Sequence, residues 1–416
     1  MAVMVLLALA ALLKWLLIIV TFPLLVELCC LTVGAILPAP DLDEETPGHL
    51  PLTRLVIIVP SHNEEVNITR CVESLTEASG SAQNVLVIAH NCTDSTAELA
   101  ELAGARVEIV NDLTLKGKGY ALKHGFEYAF SQLNAEAVMI VDADSTVSEN
   151  ITTEVLKRLA YSPVVQCRYQ VKNHAASWKT TLTSLAFLGI NVVRPRGRDR
   201  LGLSCGIFGN GFAMRKEVLQ HVEYDAHSIV EDMEFHLALV DHGYRVRFIR
   251  ESCVLGDMPL SAETAATQHS RWEGGRLRLL SDWGMPLFRK ILHGNFRLTE
   301  PLIDLLGLPL ALEIFCLLML LFYPGGEARP YVYVAFGIIF LHLAVVIHAS
   351  PNRLASLRTL LLSPVYLFWR VTMVSSAVRA SGKGAAWVRT ARDASSDITR
   401  HDILAAKTVN GSQESS

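Results

Sequence analysis

Four short apolar runs, rich in β-branched residues, alternate with helix-like stretches in the central part of the chain. The runs occupy 55–59, 85–88, 107–110 and 138–141. Apolar strands of this kind are typical of a parallel sheet covered on both faces, and their alternation with helices is typical of βαβ units. The pattern therefore predicts an α/β domain with a mostly parallel sheet and helices on both faces.

Polar residues follow three of these strands, at the edge where a parallel sheet binds its ligands. The residues that we expect to contact a ligand are Pro60, Asn63, Glu65, His90, Asn91 and Asp142. A turn or a helix cap is the plain alternative for any one loop, since Asn, Asp and Ser are common there. Because the strand ends converge on one rim, their joint position favours a binding site.

Glycines and lysines follow the remaining strand, at 116–119, where the pattern predicts the start of a helix. The backbone N–H groups at a helix N-terminus are a suitable place for a phosphate. Lys118 is therefore a candidate to bind a phosphate-bearing ligand.

Asp142 and Asp144 flank one small residue at a strand end, so one or both carboxylates can face a hard divalent cation. Mg2+ or Mn2+ suits such ligands, and the same cation can hold two phosphate oxygens. A solvated turn is the alternative, because the pattern D-x-D occurs in many unrelated loops. The other motifs of the chain favour the cation site.

The amino-terminal segment is long and apolar. Residues 3–37 contain only Lys14 and Glu27 as charged side chains, and they lack the small-residue cleavage site of a secretory signal peptide. About 20 apolar residues cross a bilayer. The segment therefore predicts a retained anchor made of one long, tilted membrane helix.

Three further apolar segments lie near the other end of the chain. Residues 302–323 and 331–349 are each long enough to span a membrane and predict a helical hairpin. Pro364 and Arg370 interrupt the third segment, 360–378, which fits an interfacial helix as well as a span.

The basic residues set the expected orientation. They cluster after the last apolar segments, whereas the hairpin loop carries only Arg329 against Glu327, so the loop should lie outside and the central domain in the cytoplasm. We expect a multi-pass protein of the cell membrane. The predicted divisions are a membrane anchor at 1–38, a linker at 39–47, a cytoplasmic domain at 48–298, a transmembrane hairpin with an interfacial or third helix at 299–380, and a basic cytoplasmic tail at 381–416.

Composition agrees with this division. Only 19% of the 416 residues are charged and the mean hydropathy is positive, which is too apolar for an ordinary soluble protein. The net charge of −4 gives no basic surface for a nucleic acid, so we expect none as a partner. The eight cysteines are scattered without paired spacing, which indicates neither a disulfide framework nor a zinc site.

Five motifs in order carry a resemblance to a known family. They are Val59-Pro60-Ser61-His62-Asn63-Glu64, Lys118-Gly119-Tyr120-Ala121-Leu122, Asp142-Ala143-Asp144, Val230-Glu231-Asp232 and Gln268-His269-Ser270-Arg271-Trp272. In this order the chain resembles, over roughly 50–280, the membrane-integrated family 2 glycosyltransferases, which include cellulose and hyaluronan synthases and bacterial exopolysaccharide enzymes. Ceramide glucosyltransferases are also similar.

The resemblance implies a GT-A fold and a division of roles. Asp142 and Asp144 would hold the metal and the diphosphate of a nucleotide sugar. Asp232 would be the general base of an inverting transfer, and Gln268, Arg271 and Trp272 would cradle the donor diphosphate and the acceptor sugar. By the same resemblance the acceptor would be bordered by Gly209, Asn210 and Glu231.

Each of these roles has a structural alternative. Acidic residues such as Glu231 and Asp232 are favourable at the start of any helix. Arg271 and Trp272 are residue types that also anchor a helix at a bilayer boundary. The glycines around Asn210 fit an ordinary loop.

The chain departs from the family in two places. Many relatives carry an aspartate after the second strand that contacts uracil, but His90 and Asn91 stand there and would substitute for it without its fixed negative charge. A UDP-sugar is the favoured donor. The F-x-V-T-x-K gating segment of cellulose synthases is absent from the sequence, and few spans are predicted. Extrusion of a polymer by this chain alone is therefore in doubt, and polysaccharide-export partners are an open alternative.

Four arginines alternate after the apolar stretch 182–193, at Arg194, Arg196, Arg198 and Arg200. Their spacing predicts a basic loop that faces lipid headgroups beside an interfacial segment. A contact with a lipid phosphate acceptor is a second interpretation.

Three hypotheses for function follow. The first is sugar transfer to a polysaccharide or a lipid-linked glycan, and the second is transfer of one sugar to a lipid such as ceramide or polyprenyl phosphate. The third, from another class, is an inactive membrane scaffold that binds nucleotide sugars.

Overall fold

The computed structural model describes residues 2–38, 47–115, 117–224, 230–258 and 262–372. Its strands are β1 Leu55–Ser61, β2 Val85–His90, β3 Arg106–Val110, β4 Ala137–Ile140, β5 Ser145–Val147, β6 Val164–Val171, β7 Phe212–Arg215 and β8 Arg247–Gly256. The first four of these strands lie at the four apolar runs of the sequence.

Fifteen helices are described in the same parts of the chain. They are α1 Ala2–Ile36, α2 Ile68–Ser79, α3 Thr96–Leu102, α4 Lys118–Ser131, α5 Ile151–Leu159, α6 Trp178–Leu188, α7 Arg194–Arg200, α8 Lys216–His221, α9 Glu231–Asp241, α10 Ala262–Leu292, α11 Thr299–Leu306, α12 Leu310–Leu321, α13 Arg329–Ala349, α14 Arg353–Leu360 and α15 Ser363–Thr372. A π-helical turn at Gly189–Val193 leads directly into α7.

One sheet organises the central domain, with strand order β3-β2-β1-β4-β7-β6-β8-β5. The β1–β2, β2–β3, β1–β4 and β6–β8 pairs are parallel, whereas β7 is antiparallel to both neighbours and β5 is antiparallel to β8. The sheet is therefore mixed, and its parallel half is the predicted βαβ part.

Both faces of the sheet are covered. Along β1, Val56 and Ile58 belong to one core cluster, whereas Leu55, Ile57 and Val59 belong to the other. Side chains of a strand alternate between faces, so a continuous apolar run must fill two cores. The prediction of an α/β domain with helices on both faces is confirmed.

Two described helices are long and apolar enough to cross a membrane, within Ala8–Ile36 and Arg329–Ala349. The expected straight span at 302–323 is not found, because α11 and α12 meet at a bend of 74°. Pro309 lacks a backbone N–H and disfavours a helical residue before it, which explains a break at 307–309. The segment is a broken span or a re-entrant pair rather than one arm of a simple hairpin.

The last apolar segment is also divided. α14 ends at Leu360 and α15 begins at Ser363, with Pro364 in its first turn, where proline is tolerated. Residues 373–378 of the predicted segment and the predicted tail at 381–416 lie outside the described residues.

The basic loop predicted at 194–200 is a helix, which corrects the sequence interpretation. Arg194 and Arg198 lie one turn apart and both bind Glu27 of the anchor, at 2.5 and 2.9 Å. Both guanidinium groups also contact Asp304 of α11, at 2.6 and 3.2 Å. Half of the basic loop therefore faces a buried charge cluster, and these two arginines are not free for lipid headgroups.

A close backbone contact accompanies this cluster. A Cβ atom on Gly197 would lie 2.0 Å from the carbonyl oxygen of Leu31, so no larger residue fits while α7 crosses α1 at this distance. Small residues allow helices to approach this closely. The anchor is thus held against the central domain by both a buried ion cluster and a steric fit.

We expect Gly197→Ala to push α7 away from α1 and to lower the free energy of unfolding by roughly 1–3 kcal/mol, as overpacking does. The measurement is the melting temperature of the full-length chain in detergent. Gly337→Ala is the matched control, because a Cβ there meets nothing within 4 Å. Equal melting temperatures for Gly197→Ala and the unmodified chain would contradict the close crossing.

Candidate active site

A continuous cavity of about 2640 Å3 opens at the carboxyl ends of β1, β2 and β4. Of the residues singled out in the sequence, it is lined by Pro60, Asn63, Glu65, His90, Asn91, Lys118, Asp142, Asp144, Gly209, Glu231, Asp232, Gln268, Arg271 and Trp272. The folded chain therefore brings together, around one space, residues that are up to 212 positions apart in the sequence.

Lys118 occupies the centre of the charged part of this cavity. It is the first residue of α4, and its Nζ lies 2.5 Å from Oδ1 of Asp142 and 2.5 Å from the carbonyl oxygen of Gly209. Burial lowers the pKa of Lys118, but the charges of Asp142 and Glu231 outweigh that effect and raise it overall. The ammonium group therefore stays charged and ties the D-x-D segment to the 206–211 loop.

Two adjacent carboxyl groups face Lys118 from the start of α9. Burial raises the pKa of Glu231 to about 7, and the neighbouring charge of Asp232 contributes to this shift. Burial likewise raises the pKa of Asp232, although the N–H of Met233, which donates to its Oδ1 at 2.9 Å, opposes the rise. Both residues are half-buried, and because each carboxylate disfavours ionisation of the other, the two groups titrate as a pair.

Asn210 does not line the cavity, contrary to the expected acceptor contact. It is fully buried; its Oδ1 accepts from the backbone N–H of Asp142 at 3.1 Å, and its Nδ2 donates to Oγ of Ser145 at 2.9 Å. Its carbonyl oxygen accepts from Nε2 of Gln166 at 2.8 Å. Asn210 is thus placed to fix the position of the D-x-D segment rather than to contact a substrate.

Gly209, the neighbour of Asn210, has a φ of 69°, in the left-handed region. A Cβ there would lie 3.1 Å from Oδ2 of Asp232 and 3.6 Å from Nζ of Lys118. Glycine therefore suits both the backbone conformation and the close approach of the loop to these two charged groups.

The asparagines of the first two loops each join their loop to the next one: Asn63 joins the loop after β1 to that after β2, and Asn91 joins the loop after β2 to the segment after β3. Oδ1 of Asn63 accepts from the N–H of Thr93 at 2.7 Å. Nδ2 of Asn91 donates to the carbonyl of Asp112 at 2.8 Å, and its Oδ1 accepts from the N–H of Asp112 at 2.8 Å. Both asparagines have a positive φ, 56° and 53°, which Asn tolerates better than most residues. These amides thus hold the loops that line the cavity at the ends of β1 and β2.

His90 lies at the base of that end and is 5% exposed. Burial lowers its pKa, so its imidazole is neutral near pH 7. A neutral imidazole has one donor and one acceptor nitrogen. His90 can therefore hydrogen-bond a ligand without carrying the fixed charge of an aspartate.

Gln268, Arg271 and Trp272 lie on α10, as their spacing predicts. The ring of Trp272 packs against Phe187, with centroids 5.8 Å apart, so its position is set by α6. Burial lowers the pKa of Arg271, opposed by the charge of Glu231, and the guanidinium remains a cation. One face of α10 thus closes the cavity opposite the strand ends.

Sequence reasoning did not single out Arg276, which lies further along α10. Its Nη1 donates to the carbonyl of Leu305 at 3.0 Å and also contacts that of Gly307, so it satisfies carbonyls at the end of α11. The i, i+5 spacing from Arg271 was the available signal, but the partner is distant in sequence. The helix that carries the Q-x-x-R-W motif is therefore joined to the break between α11 and α12.

The cavity continues from the charged end towards the apolar helices. There it is lined by Leu24, Leu28, Leu185, Leu310, Ile314, Leu343, Val346 and Tyr366. These residues come from α1, α6, α12, α13 and α15. A polar site at the sheet and an apolar space among the candidate membrane helices thus form one compartment.

Asp142 and Asp144 suit a cation that they bind together with a ligand better than a cation held by the protein alone. Among the described residues, no group of three or more His, Cys, Asp or Glu side chains is placed to hold a metal ion. Mg2+ and similar ions are commonly bound by one or two carboxylates together with substrate phosphates. The donor set therefore suits a metal that arrives with a diphosphate.

We expect Asn210→Ala to loosen the D-x-D segment, because the N–H of Asp142 and the hydroxyl of Ser145 lose a buried partner. The cost of such a loss is about 1–3 kcal/mol. It should appear as a lower melting temperature together with weaker Mn2+-dependent nucleotide binding, measured by calorimetry. Wild-type affinity at an unchanged melting temperature would show that Asn210 does not position this segment.

The raised pKa of Glu231 predicts a pH-dependent stability. Its protonated form favours the folded state, so this contribution is complete below its usual value of 4.5 and is lost as the pH rises to about 7. Glu231→Gln stays neutral and avoids the loss. The melting temperature of the variant minus that of the wild type should therefore be larger at pH 8 than at pH 4.5; a difference that does not vary with pH would contradict the burial of this carboxyl group.

Comparison with known proteins identifies the family. Residues 137–389 match the family model described as glycosyl transferase family group 2. A probable glycosyltransferase, YdaM of Bacillus subtilis, is 21% identical over 236 residues, which cover 54% of this chain and 55% of that protein. Protein RfbJ of Shigella flexneri is 32% identical over 119 residues, 28% of this chain and 86% of that protein.

A solved structure supports the fold. The mannosyltransferase PcManGT from Pyrobaculum calidifontis, in complex with GDP-Man and Mn2+, superposes with a TM-score of 0.53 at 17% identity, covering 89% of this chain and 98% of that one. This likeness confirms the predicted GT-A-type α/β fold. The family match covers more than half of the chain, and the protein therefore belongs to glycosyl transferase family group 2.

Proposed function

We propose that this chain is an inverting glycosyltransferase that moves a sugar from a nucleotide sugar, with UDP-sugars favoured, to an acceptor at the membrane. The observation that carries the proposal is the meeting of the D-x-D segment, Lys118 and the acidic pair at the start of α9 around one cavity. The general base, the diphosphate site and the entrance for the acceptor then lie in one cavity.

Asp232 is the general base in this proposal. Its carboxylate accepts the proton of the acceptor hydroxyl as that oxygen attacks the anomeric carbon, and the nucleoside diphosphate leaves from the opposite face. Its pKa is raised by burial, which makes it a stronger base than an exposed aspartate. Glu231, beside it, faces the acceptor side.

Lys118 and Arg271 act on the leaving group. Both are half-buried cations that line the cavity, and positive groups there stabilise the charge that develops on the diphosphate. Gln268 and Trp272, on the same helix as Arg271, orient the donor. Binding of the diphosphate by Lys118 requires that the ammonium group release Asp142.

Mg2+ or Mn2+ is the proposed cofactor, held by Asp142 and Asp144 together with the donor's phosphates. When bound, it supplies Lewis-acid stabilisation of the leaving diphosphate. The proposal rests on the oxygen donors of these two residues at the cavity rim and on the Mn2+ complex of the Pyrobaculum mannosyltransferase. The same relative binds GDP-Man, so a GDP-sugar is the alternative donor.

The acceptor is a polysaccharide or a lipid-linked glycan, and the lipid-linked form is favoured. The cavity continues between α1, α12 and α13, which can take an apolar chain while the sugar end reaches Asp232. The same observation supports the second candidate, transfer of one sugar to a lipid such as polyprenyl phosphate or ceramide. A polymer would involve partner proteins for its export.

The membrane placement is part of this proposal. Two apolar helices of membrane-spanning length support a multi-pass protein of the cell membrane, with the domain at 48–298 on the cytoplasmic side. The division into anchor, linker, catalytic domain and carboxyl-terminal segments remains a prediction. The charge cluster of Glu27, Arg194 and Asp304 supports a fixed position of the anchor against the catalytic domain.

The competing hypothesis of an inactive scaffold is weaker. A silent nucleotide-sugar binder has no need of a buried base, yet Asp232 lies in the cavity beside Lys118 and Arg271. Binding of UDP without turnover of any donor would favour the scaffold.

We expect Asp232→Asn to reduce transfer by at least about 10²- to 10⁴-fold, because the amide cannot accept the proton. Nucleotide affinity, measured by calorimetry with Mn2+, should stay near that of the wild type. Glu234→Gln is the matched control, since it removes a carboxylate from the same helical turn but does not line the cavity. Wild-type turnover in Asp232→Asn would show that Asp232 is not the general base.

A panel of radiolabelled nucleotide sugars separates the acceptor classes. The full-length chain in vesicles of membrane lipid is given each donor with and without Mn2+, and the products are partitioned between solvent and water and sized by mass. We expect label in the solvent phase on a lipid of one or a few sugars. Long water-soluble products would instead support polymer synthesis.

A further inference from the structure

Helix α7 presents its arginines on two different faces. Residues four apart lie on the same side of a helix, so Arg194 and Arg198 form one pair and Arg196 and Arg200 form another. The first pair is buried against Glu27 and Asp304. The second pair points elsewhere and is half-buried.

The second pair has little compensating negative charge. In the described parts of the chain, Arg196 makes no hydrogen bond or ion pair, and its Nε is buried without a partner. Arg250 on β8, against which α7 packs, adds a third guanidinium group. We call Arg196, Arg200 and Arg250 the arginine patch.

The acids next to the patch in sequence, Asp199 and Glu251, are bound by other arginines or by one member of the patch. Asp199 binds Arg247 at 2.9 Å and Arg245 at 3.3 Å. Glu251 binds Arg250 at 2.6 Å. Among the residues that the structure describes, Arg250 is therefore the one member of the patch with an ion pair; Glu251 also lies 3.8 Å from Arg158, and Asp199 acts on Arg200 only at longer range.

The pKa values of Arg196 and Arg200 agree with a patch whose positive charge is only partly compensated. Burial lowers the pKa of Arg200 to about 10, with the positive charges of Arg196 and Arg250 contributing. Burial and the charge of Arg250 also lower the pKa of Arg196. An anion bound among these groups would relieve both effects.

The patch lies at the level where the candidate membrane helix ends. Arg200 donates to the carbonyl oxygen of Ala35, in the last turn of α1, and the apolar segment that can span a membrane ends at Ile36. Ile36 is 57% exposed and Leu201, next to Arg200, is 42% exposed. Apolar side chains and arginines side by side at the end of a span are typical of a bilayer interface.

We propose that the arginine patch binds the phosphate of an anionic phospholipid headgroup at the end of the anchor. Guanidinium groups pair with phosphate oxygens in a bidentate geometry, and the acyl chains of the lipid would lie along the exposed apolar side chains of α1. The inference rests on the proposed membrane placement of α1. It assigns to this site a structural lipid rather than the sugar acceptor, because the members of the patch do not line the catalytic cavity.

The test uses the full-length chain in a neutral detergent, titrated with phosphatidylglycerol or phosphatidylcholine and followed by native mass spectrometry. We expect phosphatidylglycerol to bind more tightly. The double variant R196Q/R200Q should weaken its binding roughly 25-fold, because each arginine near a membrane surface contributes about fivefold. R196K/R200K keeps the charge and should retain most of the affinity while showing that the fold tolerates substitution.

R353Q/R358Q is the matched control, since it removes two exposed arginines from α14, beside another candidate span. The proposal is supported if only R196Q/R200Q loses phosphatidylglycerol. It is overturned if both double variants lose it equally, which indicates diffuse charge attraction, or if neither does. Carbonate extraction of membranes tests the membrane placement of α1 separately from the lipid titration. Release of the chain by carbonate without detergent would show that the proposed placement is wrong.

Discussion

The charge balance around Lys118 is the constraint on which the rest of the site depends. Its ammonium group faces Asp142, Glu231 and Asp232 inside a cavity where unpaired charge is costly. Four carboxylates, counting Asp144, stand against the two cations Lys118 and Arg271. A diphosphate entering alone would add negative charge to an already acidic space, and a divalent cation arriving with it would offset that charge. Burial is the main cause of the raised pKa values of Glu231 and Asp232, and the neighbouring carboxylates add to it.

A second buried charge cluster joins the central domain to the candidate membrane helices. Glu27 is the one acid in the apolar anchor, and it meets Arg194 and Arg198 of α7. Asp304 joins the same cluster from α11, whose end is bound by Arg276 of the helix that carries Arg271. Breaking such a buried pair leaves an uncompensated charge and costs several kcal/mol. The anchor, the broken helix pair and α10 therefore form one connected unit, and the apolar part of the cavity lies between them.

The sequence was sufficient to predict the elements that depend on a local pattern of residues. The first four strands, the polar loops after them and the helix beginning at Lys118 follow from apolar periodicity and glycine placement. The antiparallel insertion of β7 between β4 and β6 was not predicted, because such pairing depends on contacts distant in sequence. The arginines of α7 and the role of Asn210 were misjudged for a related reason: hydrophilic residues read as exposed until a buried partner, such as Glu27 or the backbone of Asp142, is known.

The central claim is that one compartment holds a metal-bound nucleotide diphosphate beside Asp232 and opens towards the membrane helices. A structure of the full-length chain in a lipid nanodisc, with Mn2+ and a non-transferable nucleotide-sugar analogue, tests it most directly. The account predicts manganese between the Asp142-Ala143-Asp144 segment and the diphosphate, Lys118 released from Asp142, and the anomeric carbon facing Asp232. A diphosphate bound away from Asp142 and Asp144, or an anomeric carbon out of reach of Asp232, would contradict it.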